Sequence, residues 1–521
     1  MNLFYRNLLA FLFFHSLSLS GNEKIDPAID LNKSDYIPVF VRMSDQLIRG
    51  AGEYERLSLL YSVNSRSENH QQVLFKLQKK ARDSWEEVSG KVKSLSRQGK
   101  LRNLQKFWIV NGFSCLAKNS AIKELVGHSK ISFIYLDRFS RPFRRSSVLK
   151  PKEFLAMKAV DKVWEKKDFN KTLDLKIPWN VRAIGAQAAW KEENATGRGV
   201  KVAVIDTGIV STPSLIHALA KNAGEELNGI DDDGNGLIDD LFGYNFIENT
   251  GNILDLGTTT SHGSSCAGII AGRPSSSGLQ TAIAPDSKIM LLKGGFDLRS
   301  LEYLMANGSD IVSMSFMIVN RDLGHIRGLF RNAFEHLSLG GVLAVGGAGN
   351  FGAGSRRAMP AGKQIGLPKD IPCVLSIAGV DQSRNQVSFS SSGPCHWEGV
   401  KFFSDYPFGK PLQKPDLTAF PMGYPVWNIS GSHRIRPNWT EVEKDHGASL
   451  VLGPAGNSFS GPHAAGVAAL ILSVCPDLNP WEISELLCET ALELGPRGPD
   501  FKFGFGLINA LAAVRAAKKR N

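Results

Sequence analysis

Three short segments of the sequence carry side chains that could together perform acyl transfer. Asp206 follows the apolar run in VAVIDTGI, His262 opens HGSSCAG, and Ser458 lies in GNSFSGPHAAG. A carboxylate can orient an imidazole, and the imidazole can take the proton of a hydroxyl as that hydroxyl attacks a carbonyl carbon. The chain order of acid, imidazole and hydroxyl is one of the orders known for this constellation. The three residues therefore predict an acyl-transfer site.

Each of these residues also has a plainer interpretation. Asp206 suits a turn, His262 the polar start of a helix, and Ser458 a helix N-cap. Their joint occurrence in one order favours the catalytic interpretation. Ser458 also stands at the amino end of a predicted helix, where free N–H groups and the helix dipole favour negative charge.

The segments that must position these residues alternate between strands and helices. From Ile177 onward, short apolar runs separated by helical segments read VKVAVIDTG, KIMLLKG, DIVSMSF, GVLAVGGAGN and VLSIAGV. Such runs predict an α/β fold with three layers, in which helices cover both faces of a mostly parallel sheet. An open sheet of this kind exposes its functional groups at the carboxyl ends of its strands, where Asp206 stands.

The sequence before residue 178 divides into three zones. Residues 1–20 have the basic start, the apolar run and the small-x-small end of a secretory signal, and the run is short for a membrane span. Residues 21–137 follow the order strand, helix, strand, helix, strand, which predicts a small α+β domain of the ferredoxin-like type. Residues 138–177 form a basic connector. The signal predicts a secreted or extracytoplasmic protein, in the periplasm or outside the cell, and no later segment is apolar enough to span a membrane.

Charge and cysteine content narrow the function further. The net charge of +11 would suit a nucleic-acid binder, but much of the excess lies in the connector and no aromatic-basic motif occurs, so no nucleic-acid partner is predicted. We expect the connector to be solvated and later removed. The six cysteines form no CxxC pair, which argues against a zinc or redox site. Cys373 with Cys395, and Cys475 with Cys488, are candidate disulfides.

The three motifs together resemble those of the subtilisin-like serine proteases, or subtilases. VAVIDTGI resembles the Asp motif of that family, HGSSCAG its HGTHVAG, and GNSFSGPHAAG its GTSMAxPHVAG. The likeness runs from about residue 178 to FGFGLINALAAVRAA near the carboxyl end. It implies that Ser458 is the nucleophile, His262 its general base and Asp206 the partner of the imidazole. Ser460 then takes the place of a small helix residue, and His463 that of a structural histidine.

The resemblance also implies how such a protein is made and what it acts on. It would be a secreted serine endopeptidase with polypeptide substrates, monomeric, with no cofactor required for the chemistry and no stable membrane insertion after signal removal. Residues 21–137 resemble the inhibitor-type propeptide that would block the site of the catalytic domain, residues 178–521. Maturation would cut the connector, either within RPFRR (Arg141–Arg145) or just before Pro178, and these two alternatives stay open.

Further site residues follow from the same likeness. Asn350, at the end of GGAGN, matches the asparagine of the oxyanion hole, and the backbone N–H of Ser458 would be the second donor. Two segments would line the substrate cleft, and their residues are Ser313, Met314, Ser315, Phe316, Gly347, Ala348 and Gly349.

The sequence departs from the family in the cleft. After Ser315 the family has Leu-Gly-Gly, whereas this chain has Phe316, Met317 and Ile318. These side chains would narrow or fill the pocket for the substrate, so the specificity of relatives does not transfer. The alternative function is a catalytically silent subtilase fold used for binding. Asn457 also replaces a threonine beside the nucleophile, which we expect to tune the site.

Two more features lie near the motifs. In NGIDDDGNGLIDD the residues Asp231, Asp233, Asn235 and Asp239 have the crowded spacing of a calcium loop, so a structural Ca²⁺ is expected there, with a plain turn as the alternative. Cys266 follows His262 by one helical turn. The family has valine at this place, except for a thiol-containing subgroup, so a mercurial is expected to crowd His262 unless the cysteine is simply a buried apolar residue.

Overall fold

The computed structural model describes residues 21–32, 35–139, 145–166, 174–257, 259–319 and 322–520. The predicted signal segment and most of the RPFRR motif lie outside these residues.

The first domain is a four-stranded antiparallel sheet with helices on one face. Its elements are β1 (Ile37–Met43), α1 (Glu53–Tyr61), α2 (Arg66–Arg97), β2 (Leu101–Phe107), β3 (Gly112–Ala117), α3 (Asn119–Val126) and β4 (Ile131–Leu136). The strand order is β2-β3-β1-β4. Helix α2 begins with a capping box in which the Ser65 hydroxyl accepts from the Glu68 N–H and the Glu68 carboxylate accepts from the Ser65 N–H. The arrangement is α+β, as expected, but it has four strands where the sequence predicted three, because Leu101–Phe107 forms an additional strand that pairs with β3.

The connector contributes one helix, α4 (Pro151–Trp164). Its Met157 and Val160 are fully buried in the same apolar cluster as Leu219 and Phe242 of the following domain. The Trp164 indole donates to the Leu219 carbonyl at 3.0 Å, so the helix is anchored at its end. The expectation of a solvated connector is therefore wrong for this helix, because its spacing of apolar residues forms a face that packs against the second domain.

The second domain is built on a seven-stranded parallel sheet. Its strands are β5 (Lys201–Asp206), β6 (Gly243–Asn245), β7 (Lys288–Lys293), β8 (Ile311–Met314), β9 (Leu343–Gly347), β10 (Val374–Gly379) and β11 (Leu417–Ala419). Their order is β11-β10-β9-β8-β5-β7-β6. A separate antiparallel sheet consists of β12 (Val426–Ile429), β13 (Thr440–Asp445) and β14 (Ala448–Leu452).

Helices cover both faces of the parallel sheet. They are α5 (Trp179–Ala183), α6 (Ala186–Glu193), α7 (Pro213–Ile216), α8 (His262–Ala271), α9 (Leu298–Ala306), α10 (Ile326–Leu339), α11 (Ser432–Ile435), α12 (Asn457–Val474), α13 (Pro480–Glu489) and α14 (Ala510–Lys518). Strand β5 shows why the sheet needs two covers: Val202 and Val204 pack on the side of α8 and α12, whereas Ala203 and Ile205 pack on the side of α9 and α10. The predicted three-layer α/β fold is confirmed.

The two domains share an apolar interface. In β1, Val39 and Val41 face α2 and α3 of their own domain, while Phe40 joins the cluster that contains Leu304 of α9 and Leu337 of α10. Strand alternation thus lets one small sheet pack on two layers at once. Glu302 of α9 adds polar contacts, since its half-buried carboxylate accepts the N–H groups of Trp108 and Ile109.

A buried histidine lies in the same interface. Nε2 of His336, on α10, accepts from the Ile48 N–H at 3.0 Å, and Nδ1 lies against the Ile109 carbonyl at 2.5 Å. Burial lowers the pKa of His336 to about 4. The neutral imidazole is therefore part of how the two domains fit together.

We expect acid to destabilise the full chain partly through His336. Unfolding or release of the first domain returns the imidazole to its ordinary pKa near 6.5, so this contribution is present above pH 6.5 and is lost as the pH falls towards 4, by up to about 3 kcal/mol. His336→Gln should lose less thermal stability between pH 7 and pH 4.5 than the unmodified chain. Identical falls in Tm would contradict this role. Glu302 titrates at the same interface in the opposite sense, because its pKa is raised to about 8, mainly by burial. Both proteins contain Glu302, so its contribution cancels when their Tm values are compared.

All six cysteines are free thiols, so the candidate disulfides between Cys373 and Cys395 and between Cys475 and Cys488 are not formed. Among the described residues, no helix combines the length and the apolar character that crossing a membrane requires.

Candidate active site

The acid and the imidazole meet where β5 ends and α8 begins. Asp206 is the last residue of β5 and His262 the first of α8. The His262 Nδ1 lies 2.8 Å and 2.9 Å from the two carboxylate oxygens of Asp206, which is buried. Burial opposes the imidazolium, but the Asp206 charge and the nearby Cys266 sulfur outweigh it and raise the pKa of His262 well above its usual value. The pair is arranged so that the carboxylate holds the imidazole and stabilises its cation.

The hydroxyl of Ser458 lies in the first turn of α12, half-buried. It donates to the Ser315 carbonyl at 3.4 Å, and among the described residues it makes no hydrogen bond to His262. The His262 imidazole stacks on Phe459, the residue that follows Ser458, with ring centroids 5.8 Å apart. The imidazole therefore lies close to the first turn of α12, which carries the hydroxyl. Catalytic hydrogen bonds are often loose without substrate, and proton transfer requires this hydroxyl to turn from Ser315 to the imidazole.

Asn350 follows β9 and faces the same space. Its Oδ1 accepts from the Asn457 N–H at 2.7 Å, and its Nδ2 makes no hydrogen bond to the described part of the chain. Asn457 itself is buried and donates to the Gly349 carbonyl at 2.8 Å and to Ser390 Oγ at 2.9 Å. The family's threonine is thus replaced by a side chain that ties α12 to the segment before Asn350.

A cavity of about 190 Å³ opens beside these groups. Its lining residues are Ser315, Phe316, Met317, Gly347, Gly349, Asn350, Phe351, Arg357 and Ser458. The predicted residues Ser313, Met314 and Ala348 do not reach it, because they are buried among the strands and in the core behind the cleft. Alternate residues of an extended segment face opposite sides, so only part of each predicted segment can contact a substrate.

A family profile, that of the subtilase family, matches residues 197–506. The match covers more than half of the chain, and it contains the three motifs that carry Asp206, His262 and Ser458. The chain is a member of the subtilase family. The first domain and the connector lie outside the matched residues.

Individual relatives are distant. The chain is 25% identical to subtilisin DY of Bacillus licheniformis over 353 residues, which is 65% of this chain and 99% of that protein. It is 27% identical to alkaline elastase YaB of Bacillus sp. strain YaB, with 65% of this chain and 70% of that protein covered. It is 26% identical to fervidolysin of Fervidobacterium pennivorans, with 67% and 45% covered.

A buried lysine supports the cleft of this subtilase from behind. Lys369 Nζ donates to the Phe316 carbonyl at 2.8 Å and is shielded from solvent. The side chain fits because Gly346 is bare, since a β-carbon there would lie 2.0 Å from Lys369 Cε. Burial lowers the pKa of Lys369 to about 7. The sequence offered no pattern that would have singled out this residue.

The acidic loop gathers only part of the predicted calcium ligands. Carboxylate oxygens of Asp231 and Asp233 lie within 4.8 Å of each other and of Glu225, which the sequence analysis missed. Asn235 donates to Asp233 at 3.0 Å. Asp239 instead accepts two backbone N–H groups of the preceding turn, at 3.0 Å and 2.9 Å, so its Oδ1 braces the loop.

Buried carboxylate oxygens in this loop lack partners. One oxygen each of Glu225, Asp231, Asp239 and Asp240 is buried without a hydrogen bond among the described residues. Burial and neighbouring carboxylates raise the pKa of Glu225 to about 7, and burial raises that of Asp240 to about 6. Unpaired buried carboxylates are costly, and a hard cation would satisfy them.

Cys266 lies against His262 and Ser458. Its Sγ is 3.8 Å from His262 Nδ1 and 3.6 Å from the Ser458 carbonyl, and the residue is fully buried. Burial raises the pKa of the thiol, which slows its reaction with electrophiles.

We expect a mercurial to inactivate the enzyme slowly, because mercury on Cys266 would displace the imidazole from its position. The variant Cys266→Val removes the thiol and should keep its activity during the same treatment, which an amidase assay over time would record. If the wild-type enzyme keeps full activity after its Cys266 has been shown to carry mercury, Cys266 does not control the position of the imidazole.

Proposed function

We propose that this subtilase is a secreted serine endopeptidase, made as a pre-proenzyme, that hydrolyses polypeptides through an acyl-enzyme. The observation that carries the proposal is the pairing of Asp206 with His262 beside Ser458, with the free amide of Asn350 on the same cavity. A catalytically silent binding protein would not need this arrangement of acid, imidazole, hydroxyl and amide donor.

The chemistry follows from the positions of these groups. His262 takes the proton of Ser458 as Oγ attacks the peptide carbonyl carbon, and Asp206 stabilises the resulting imidazolium. Asn350 Nδ2 and the backbone N–H of Ser458 donate to the oxyanion. The imidazolium then protonates the leaving amine, and the peptide bond breaks to leave an ester on Ser458. Water, deprotonated by His262, hydrolyses that ester and restores the site.

The contacts of the first domain support a role as an inhibitor. It packs on α9 and α10, and its carboxyl end brings Phe139 between Phe296 and Phe330, with ring centroids 5.8 Å and 5.1 Å away. Phe296 in turn contacts Phe316, which lines the cavity beside Ser458. The described carboxyl end of this domain therefore lies two aromatic rings from the cavity, which supports a role as an intramolecular inhibitor removed at maturation.

A calcium ion is the proposed stabiliser of the acidic loop. Asp231, Asp233 and Glu225 offer the oxygen ligands that Ca²⁺ prefers, and the buried oxygen of Asp240 adds a further candidate. The ion would hold the loop and takes no part in the reaction.

We expect removal of Ca²⁺ by a chelator to lower the Tm of the enzyme by on the order of 5–10 °C, as loss of a tightly bound ligand does. Glu225→Gln should lower the Tm with Ca²⁺ present and reduce the chelator effect. Glu226→Gln is the matched control, because Glu226 is the exposed neighbour of Glu225 in the same loop. A Tm that is the same with and without the chelator would exclude a stabilising calcium ion.

Labelling with a fluorophosphonate tests the proposed function directly. The reagent reacts with a serine only where a base and an oxyanion hole activate it. We expect one adduct, on Ser458, in the processed protein, together with cleavage of an unfolded polypeptide. Folded, processed protein with neither adduct nor cleavage would favour the binding function instead.

A further inference from the structure

We propose that Met317 restricts this subtilase to substrates with a short, uncharged side chain at P1, the residue before the cleaved bond. The proposal rests on the proposed peptidase function and names the class of substrate for the same site. It is carried by the position of the cavity, by the contacts that hold Met317 across it, and by the charge at its rim.

The P1 side chain must enter the cavity because the reacting groups fix the atoms around it. The carbonyl carbon has to lie against Ser458 Oγ, with its oxygen towards Nδ2 of Asn350. The preceding residues run along Ser315–Met317 as an added strand. The side chain between these anchors then points into the space of about 190 Å³ between Ser315–Met317 and Gly347–Gly349.

Met317 covers one wall of that space. A β-carbon placed on Gly349 would lie 2.2 Å from Cε of Met317, so the methyl group rests directly on the bare glycine backbone. Gly349 has a φ of 111°, which side chains rarely adopt, so the wall itself remains glycine. The methionine thus takes the part of the site that lies against the glycine wall, and the cavity of about 190 Å³ that remains extends towards Phe351 and the exposed Arg357.

Contacts on both sides hold the methionine in place. Sδ accepts from the Gly366 N–H at 3.1 Å, and the side chain packs against a small buried cluster that includes Ala348 and Ile365. Lys369 fixes the carbonyl of Phe316, the residue before Met317, from behind. A long P1 side chain would have to displace the thioether and break these contacts, which lowers its reactivity relative to a short one.

Charge disfavours a basic P1 residue. Arg357 is the one charged side chain among the described residues that line the cavity, and it is exposed at the rim. Its attraction for an acidic side chain is screened by solvent and therefore weak. The repulsion of a lysine or arginine is screened in the same way, but entering the cavity would leave its charge unpaired, with no carboxylate among the described lining residues to offset it.

The test is the P1 preference of the processed enzyme, obtained by maturation of the full chain, on peptides that differ only at P1. We expect kcat/KM for alanine to exceed the values for phenylalanine, leucine and lysine by about tenfold or more. In Met317→Gly the values for phenylalanine and leucine, each divided by the value for alanine, should rise by about tenfold or more. Met317→Leu keeps the volume and should keep the preference for alanine.

A preference of the unmodified enzyme for phenylalanine, leucine or lysine would overturn the proposal, and so would a Met317→Gly profile equal to that of the unmodified enzyme. The unmodified enzyme and Met317→Leu decide the question even where Met317→Gly gives no folded protein. Titration with a fluorophosphonate separates the two levels: labelled enzyme with the wrong profile overturns only the role of Met317. Absence of both labelling and hydrolysis overturns the peptidase function itself.

Discussion

Ser458→Ala lowers kcat for peptide hydrolysis by about 10⁶-fold, because the acyl-enzyme can no longer form and the imidazole has no nucleophile to activate. The full chain carrying this change should also stay uncut unless another protease processes it. Initial rates on a chromogenic peptide, measured after removal of other proteases, check the first expectation, and the mass of the purified chain checks the second.

Ser460→Ala is the matched control for this variant. Ser460 lies two residues further along α12 and is fully buried, with only a long hydrogen bond of 3.5 Å to the Ala419 carbonyl. Its removal should change kcat by less than about threefold. Equal losses in both variants would mean that the damage comes from the helix and not from the hydroxyl of Ser458.

Asn350→Ala lowers kcat by about 10²–10³-fold with little change in KM, because the missing amide would have bound the oxygen mainly after it became an oxyanion. Steady-state kinetics on a substrate with alanine at P1 provide the measurement. The variant also removes the acceptor for the Asn457 N–H, so its fold has to be checked by its Tm.

Asn350→Asp separates the two roles of this residue. The carboxylate still accepts from the Asn457 N–H, but it offers no donor to the oxyanion and brings a like charge. We expect at least the same loss of kcat as in Asn350→Ala, with better retention of stability. Full activity in Asn350→Asp would rule out Asn350 as the oxyanion donor.

The parallel sheet and the meeting of Asp206 with His262 could be predicted from sequence, because both follow from local rules. Strands that are apolar on both faces need helices on both sides, and strand ends and helix starts gather at one edge of such a sheet. The direction of the Ser458 hydroxyl could not be predicted. It depends on a single side-chain rotation and on the nearby Ser315 carbonyl, which competes with the imidazole.

Other features depend on contacts between distant residues, which no local spacing encodes. Glu225 joins Asp231 and Asp233 only because the chain folds back on itself there, so a search for the spacing of a calcium loop passes over it. The burial of Lys369 is possible only because Gly346, which is distant in sequence, has no side chain. The basic charge of the connector hid the apolar face of α4, since average composition does not report which side of a helix is buried.

Helix α4 has one more consequence, which concerns where the active protein would begin. If the first domain departs through a cut ahead of Lys150, the new amino terminus stays fastened to the enzyme by Met157, Val160 and the Trp164 indole. A cut just before Pro178 instead removes α4 and exposes the apolar surface around Phe242 to solvent. The two maturation cuts would therefore yield proteins that differ in solubility and thermal stability, although Asp206, His262 and Ser458 are the same in both.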